Sequence, residues 1–319
     1  MALVHAGLGR LATVAAAAQT TALELGRAGA YVARTFCVPA GLRGLAIEWA
    51  WFAAHMVVYP AGLLREQLVE PSGYRTDSLP PARRSLVVTD LEAAGTPILL
   101  VHGIMDNRSV FTLFRRSLRR RGFGAVHAVN YSLFTGDIRT AAHQLRGHVE
   151  QLRELTGADK VHIVGHSLGG MIARYYVQRM GGTAAVDTLV TLGSPHRGTL
   201  AAHLMPTPLG RQLRPGSELL EELARPSPGC STRFLVVWSR LDQMVVPQRN
   251  GRLIHPDLDI EELELRDVGH LSMPIDTRTL HWVAGALTRS DHRYYRESRG
   301  QERPQPLTDT LGESASPAS

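Results

Sequence analysis

Val161-His162-Ile163-Val164-Gly165-His166-Ser167-Leu168-Gly169-Gly170 is the stretch on which the fold turns. Its first four residues are rich in β-branched side chains and read as a strand, and Leu168–Met180 beyond them reads as a helix. Between the two lies Gly-x-Ser-x-Gly. A bare five-residue match is weak, but a strand before it and a helix after it make a sharp elbow that holds Ser167 in a strained turn. Glycines flank the serine because larger side chains would collide there. The hydroxyl then stands above the sheet beside a helix N-terminus, which favours negative charge.

Outward from this point, short apolar runs alternate with helical patterns. Ser85–Val88, Pro97–Val101, Ala125–Asn130, Lys160–Val164, Val186–Leu192, Arg233–Trp238 and Ile260–Leu265 read as strands. Arg108–Arg121, Asp137–Leu155, Leu168–Met180 and Ile275–Leu287 read as helices. Such alternation predicts an α/β fold, a mostly parallel sheet with helices on both faces.

A serine hydroxyl is a weak nucleophile near neutral pH and needs a base. His270 follows the last strand, in Asp267-Val268-Gly269-His270-Leu271, and Asp242 follows the Arg233–Trp238 strand. Both sit at carboxyl ends of strands, where an open α/β sheet holds its ligand. Asp242 is the expected partner of His270, ahead of Asp267, Asp257 and Asp259, because a carboxylate three residues away on the same loop is poorly placed to orient the ring. An oxyanion needs two backbone donors. Leu168 N–H follows the nucleophile, and Ile104 N–H follows the His102-Gly103 turn that ends Pro97–Val101. His102 and His166 read as packing or hydrogen-bonding residues.

Taken together, Val101-His102-Gly103, Gly165-His166-Ser167-Leu168-Gly169-Gly170 and Leu192-Gly193-Ser194-Pro195-His196-Arg197-Gly198-Thr199 resemble bacterial triacylglycerol lipases and related esterases of the α/β-hydrolase superfamily. The likeness covers roughly residues 95–285. It implies cleavage of carboxylic esters, often of lipids, with Ser167, Asp242 and His270 as the triad and Ile104 and Leu168 as oxyanion donors. No cofactor is implied. The alternatives are an acyltransferase using the same residues and a non-catalytic lipid-binding protein of this fold. Some lipases of this kind hold a structural calcium near the histidine. Asp257, Asp259 and Asp276 are candidates by sequence position only, so no metal site is assigned. The Ser194–Gly198 turn reads as structural.

The chain has 319 residues, enough for one large α/β domain with additions at both ends. Residues 71–84 read as a linker, 85–288 as the hydrolase domain, and 289–319 as a polar, disordered tail. Residues 200–230 carry Leu200, Leu204, Met205, Leu209, Leu213, Leu219 and Leu220 among five prolines. They read either as a lid over the site or as an insertion packed on the core. Residues 1–70 form a hydrophobic helical extension, with helical spacing from Leu8 to Val32 and an apolar run from Gly44 to Leu64 close to the roughly 20 residues that cross a bilayer. Trp49, Trp51 and Tyr59 suit a membrane interface, whereas Glu48 and His55 are costly in lipid. Membrane insertion and packing on the hydrolase domain both stay open. Arg10 with Leu11–Ala18 makes only a short signal-peptide-like run. This region favours membrane association or the cell envelope over the cytoplasm.

The formal charge is +6, and Lys160 is the single lysine. Arginine-rich coding accounts for that balance, with attraction to an anionic lipid surface as the sharper reading. Nothing resembles a nucleic-acid-binding motif. Cys37 and Cys230 are the only cysteines, and no zinc-ligand spacing occurs.

Overall fold

The computed structural model describes residues 39–62, 95–104, 106–131 and 136–288, together with Gly26. The expected helix at Leu8–Val32, the linker 71–84, the strand Ser85–Val88 and the tail 289–319 lie outside the described residues, apart from Gly26.

Six strands form one sheet: β1 (Ile98–Val101), β2 (Val126–Val129), β3 (Val161–His166), β4 (Val186–Leu192), β5 (Arg233–Ser239) and β6 (Asp259–Leu265). Their spatial order is β2-β1-β3-β4-β5-β6, and every neighbouring pair is parallel. β1, β2, β3 and β5 are buried at every position, the pattern of strands covered on both faces. β6 closes one edge with Glu261, Glu262 and Glu264, and such charge guards an open edge against further pairing.

Side chains alternate between two cores. Leu99, Ile163, Leu189 and Phe234 pack under α3 (Ile138–Thr156) and α4 (Leu168–Arg179). Leu100, Val164, Val190 and Leu235 pack under α2 (Thr112–Arg120) and α7 (Thr277–Leu287). α3 buries Ile138, Ala141, Leu145, Val149 and Leu152, one stripe at helical spacing. Asp137 caps its start by accepting from Thr140 N at 2.9 Å, and Gly157 ends it in the left-handed conformation.

The chain leaves β1 toward β2 on one side and returns to β3 on the other. That reversal makes the carboxyl ends of β1 and β3 the switch point, where an α/β sheet opens a crevice. Val101 at the end of β1 pairs in register with Gly165 in β3, so His102-Gly103 and Ser167 emerge side by side.

The segment 200–230 packs on the body. α5 (Pro208–Gln212) and α6 (Glu218–Ala224) bury Leu209, Leu219, Leu220 and Leu223 in the same core as α3 and α4. Arg174, buried on α4, donates to the carbonyls of His196 and Leu223. Glu222 accepts from Tyr175 Oη at 2.8 Å and from Arg139 Nη2 at 2.7 Å. Of the residues that suggested a lid, Leu200, Leu209, Leu213, Leu219 and Leu220 are buried, whereas Leu204 is exposed.

The apolar run of the N-terminal extension is α1 (Pro39–Gly62), and it lies against the α/β body. No helix among the described residues is long and apolar enough to cross a membrane.

Candidate active site

Ser167 sits between β3 and α4 with φ 53° and ψ −119°, the only positive-φ residue besides glycine among the described residues. Such backbone costs about 1–3 kcal/mol and persists only where the surroundings enforce it. Here Ser167 N–H donates to Leu192 O at 2.8 Å, and Ser194 Oγ donates to Ser167 O at 2.8 Å. A methyl on Gly165 would lie 2.5 Å from the backbone of Gly170, which explains the glycine before the serine.

His270 and Asp242 meet at the far end of β5 and β6. His270 Nδ1 lies 2.8 Å from Asp242 Oδ2, with both side chains buried. Asp242 Oδ1 accepts the amides of Met244 and Val245 at 2.8 Å each, which leaves Oδ2 to the ring. Asp267 faces elsewhere: it is exposed and pairs with Arg278 at 2.7 Å. Burial pulls the His270 imidazole toward neutrality. The charge and hydrogen bond of Asp242, joined by the charges of Glu48 and Asp106, outweigh it and hold the pKa above the ordinary value.

The two other histidines near Ser167 hold the scaffold. His166 is pulled down to about 4 by burial and by the neighbouring His270, and its Nε2 donates to the His270 carbonyl at 3.1 Å. His102 is fully buried, hydrogen-bonds Gly103 O through Nδ1 at 2.9 Å, and stacks on Tyr131 at 4.3 Å. Tyr131 Oη reaches the carbonyls of His102 and Gly103, both at 3.0 Å, and so fixes the turn that leads to Ile104. Gly103 abuts Ser167, since a methyl there would lie 3.1 Å from its Cβ. Ile104 lines the site, and Leu168 opens α4. The Ser194–Gly198 turn is tied down internally: His196 Nε2 meets Thr191 Oγ1 at 2.9 Å, and Asn250 Nδ2 donates to Gly198 O at 3.0 Å.

Ser167, Ile104 and His270 line one cavity of about 650 Å³. Its other wall is α1, which contributes Leu45, Trp49, Phe52, Met56 and Tyr59. No residue of 200–230 lines it, so the position expected of a lid is held by the N-terminal helix. That role, and the polar contacts of α1, escaped the sequence reading. The available signal was Glu48 and His55 within an apolar run.

Two of the three aspartates considered for calcium have other partners. Asp257 accepts from Ser227 N at 2.7 Å, and Asp276 caps α7 through Thr279 N at 3.0 Å. Among the described residues no group of three or more His, Cys, Asp or Glu is arranged to hold a metal.

Solved structures share this architecture. The chain superposes on the mature form of the Bacillus licheniformis lipase BlEst2 with a TM-score of 0.52, 16% identity, and coverage of 67% of this chain and 96% of that one. For lipase B of Aspergillus fumigatus the TM-score is 0.52 at 15% identity, covering 70% and 61%. The chain has the α/β-hydrolase fold. Residues 97–250 of the chain match the palmitoyl protein thioesterase family. A triacylglycerol lipase of Burkholderia plantarii is 32% identical over 127 residues, which is 37% of this chain and 35% of the relative. One from Pseudarthrobacter phenanthrenivorans is 32% identical over 111 residues, 32% and 34% of the two chains. The chain thus spans about a third of the length of these relatives.

Proposed function

We propose that this α/β-hydrolase cleaves carboxylic esters of lipid-like acyl groups through an acyl-enzyme on Ser167. The observation that carries the reading is the opening of the Ser167 elbow and the His270–Asp242 pair into one cavity with an apolar wall. His270 takes the Ser167 proton as the oxygen attacks the acyl carbon. The oxyanion rests on the Ile104 and Leu168 amides. His270 then protonates the departing alcohol, and water repeats the sequence to release the acid. Asp242 holds the ring tautomer and stabilises the imidazolium. Lipase names among the relatives and the thioesterase family match support an acyl substrate, with oxygen esters and thioesters as the two leaving-group classes.

We also propose that α1 meets a lipid surface. Ile47, Trp49, Met56 and Val57 are exposed along it, beside the mouth of the cavity.

The test is hydrolysis of p-nitrophenyl esters from acetate to palmitate, with palmitoyl thioester alongside, by purified protein and by Ser167→Ala. Activity that rises with chain length and disappears in the variant is the expected result. Activity surviving in Ser167→Ala overturns the reading.

A further inference from the structure

We propose that Glu48 is a positioning residue for His270, so that the N-terminal helix is part of the active site rather than an appendage to it. The proposal rests on the ester-cleaving function above only for its kinetic arm.

Among the described side chains of α1, Gly44, Glu48, His55 and Gly62 are buried, with Leu45, Trp51 and Tyr59 half-buried between them. The spacing is that of one helical face. Its character departs from the usual, because Glu48 and His55 are buried on it while Ile47 and Val57 point outward. A helix held by the hydrophobic effect alone would turn the other way. The hydrogen bonds of this face are what fix its orientation.

Glu48 makes the decisive ones. Its Oε1 accepts the amide of Leu271 at 2.5 Å, and its Oε2 accepts the Ser272 amide at 3.2 Å and the Ser272 hydroxyl at 2.7 Å. A buried carboxylate is costly unless donors surround it, and three are supplied by the two residues that directly follow His270. On the other side of His270, a methyl on Gly269 would collide with the same carboxylate. The turn carrying His270 therefore wraps around Glu48. Gln243 completes the hold by accepting the His270 amide at 3.0 Å.

Placement and charge act together. The ionisable groups around His270 are Asp242 from the loop after β5, Asp106 from the loop after β1, His166 from the elbow and Glu48 from α1. His166 is neutral above about pH 4. Glu48 thus adds a negative charge that favours the imidazolium formed during acyl transfer, from an element outside the sheet and its loops.

The test compares full-length wild type with Glu48→Gln, which keeps the side-chain size and removes the charge. Histidine-labelled NMR, assigned with His270→Ala, reads the His270 titration without any substrate. In Glu48→Gln its midpoint should fall, and the acid limb of kcat/KM on a p-nitrophenyl ester should move down with it. A displaced His270 should also lower kcat by on the order of 10- to 100-fold at nearly constant KM. If wild type cleaves no ester while the midpoint still falls, the function reading fails and the positioning role stands. An unchanged midpoint and acid limb, with only the thermal midpoint lowered, would overturn the proposal and leave Glu48 a structural anchor. Should Glu48→Gln not fold, Ser272→Ala removes one of the three donors. A smaller kcat loss at constant KM is expected there, and unchanged kcat would count against the proposal.

Discussion

Near the carboxyl ends of the strands, Val101, Val164 and Val237 are buried, and Ser167, Asp242 and His270 stand in the loops just beyond. Along α1, Glu48 and His55 are buried while Ile47 and Val57 face outward. Both regions wall the same cavity. The sheet owes its place to apolar burial and can present reactive groups wherever its topology reverses. The helix owes its place to a few directional bonds, so its apolar residues are left for the cavity and for whatever lies outside. One wall is fixed by area and the other by chemistry.

The comparison breaks most sharply at the sheet. Ser167→Ala should lower kcat by about a millionfold, the scale seen when a serine nucleophile is removed, with the thermal midpoint unchanged. Active-site titration with a fluorophosphonate should show no labelling of that variant. Asp242→Asn should cost on the order of ten-thousandfold, because an amide at 2.8 Å from Nδ1 favours the wrong tautomer. Asp267→Asn is the control. Its side chain is exposed and paired with Arg278, so turnover should hold. Equal losses in the two asparagine variants would show that the His270 ring does not take its orientation from Asp242.

The helix wall responds differently. His55 Nε2 lies 2.9 Å from Asp106 Oδ1, and Asp106 follows Ile104 by two residues. Asn107 Nδ2 adds a bond to Tyr59 O at 2.9 Å. Asp106→Ala strips the acceptor from His55 and from Asn107 N, and should cost about 2 kcal/mol in urea unfolding. Trp49 and Trp51 are two of the four tryptophans, so release of α1 should register in fluorescence ahead of the sheet. Coincident transitions with wild-type stability would mean that α1 is held by something other than this pair.

The same contrast explains what could be read from sequence. The elbow was legible because strand, glycines, serine and helix are contiguous. Asp242 and His270 lie 28 residues apart, yet each follows a recognisable strand, so fold topology brings them together. Glu48 has its partners 223 and 224 residues away, and no local pattern announces such a contact. For Leu209, Leu219 and Leu220 the ambiguity was of another kind. Apolar spacing is identical whether leucines cover a substrate or cover the core, and only the packing against α3 and α4 decides. The run from Gly44 to Leu64 carried the same ambiguity between lipid and protein. There the two buried polar residues, Glu48 and His55, were the informative ones.

The smallest expected effect concerns the outward face of α1. Ile47 and Val57 are 47% and 81% exposed, and neither lines the cavity. Substituting both by serine should change stability by no more than about 0.5 kcal/mol, since no buried contact is lost. Turnover of a short, soluble ester should be unaffected for the same reason. A lipid surface would see the change, because full burial of each such side chain contributes about 1.5–3 kcal/mol and partial burial a fraction of that. Association with phosphatidylglycerol vesicles, measured by sedimentation, should therefore weaken by roughly tenfold, with a matching loss on emulsified long-chain ester. A fall on emulsion alone would place the two residues on the substrate's route. Unchanged vesicle binding would mean that the exposed face of α1 does not engage lipid, and that its apolar residues serve the cavity only from within.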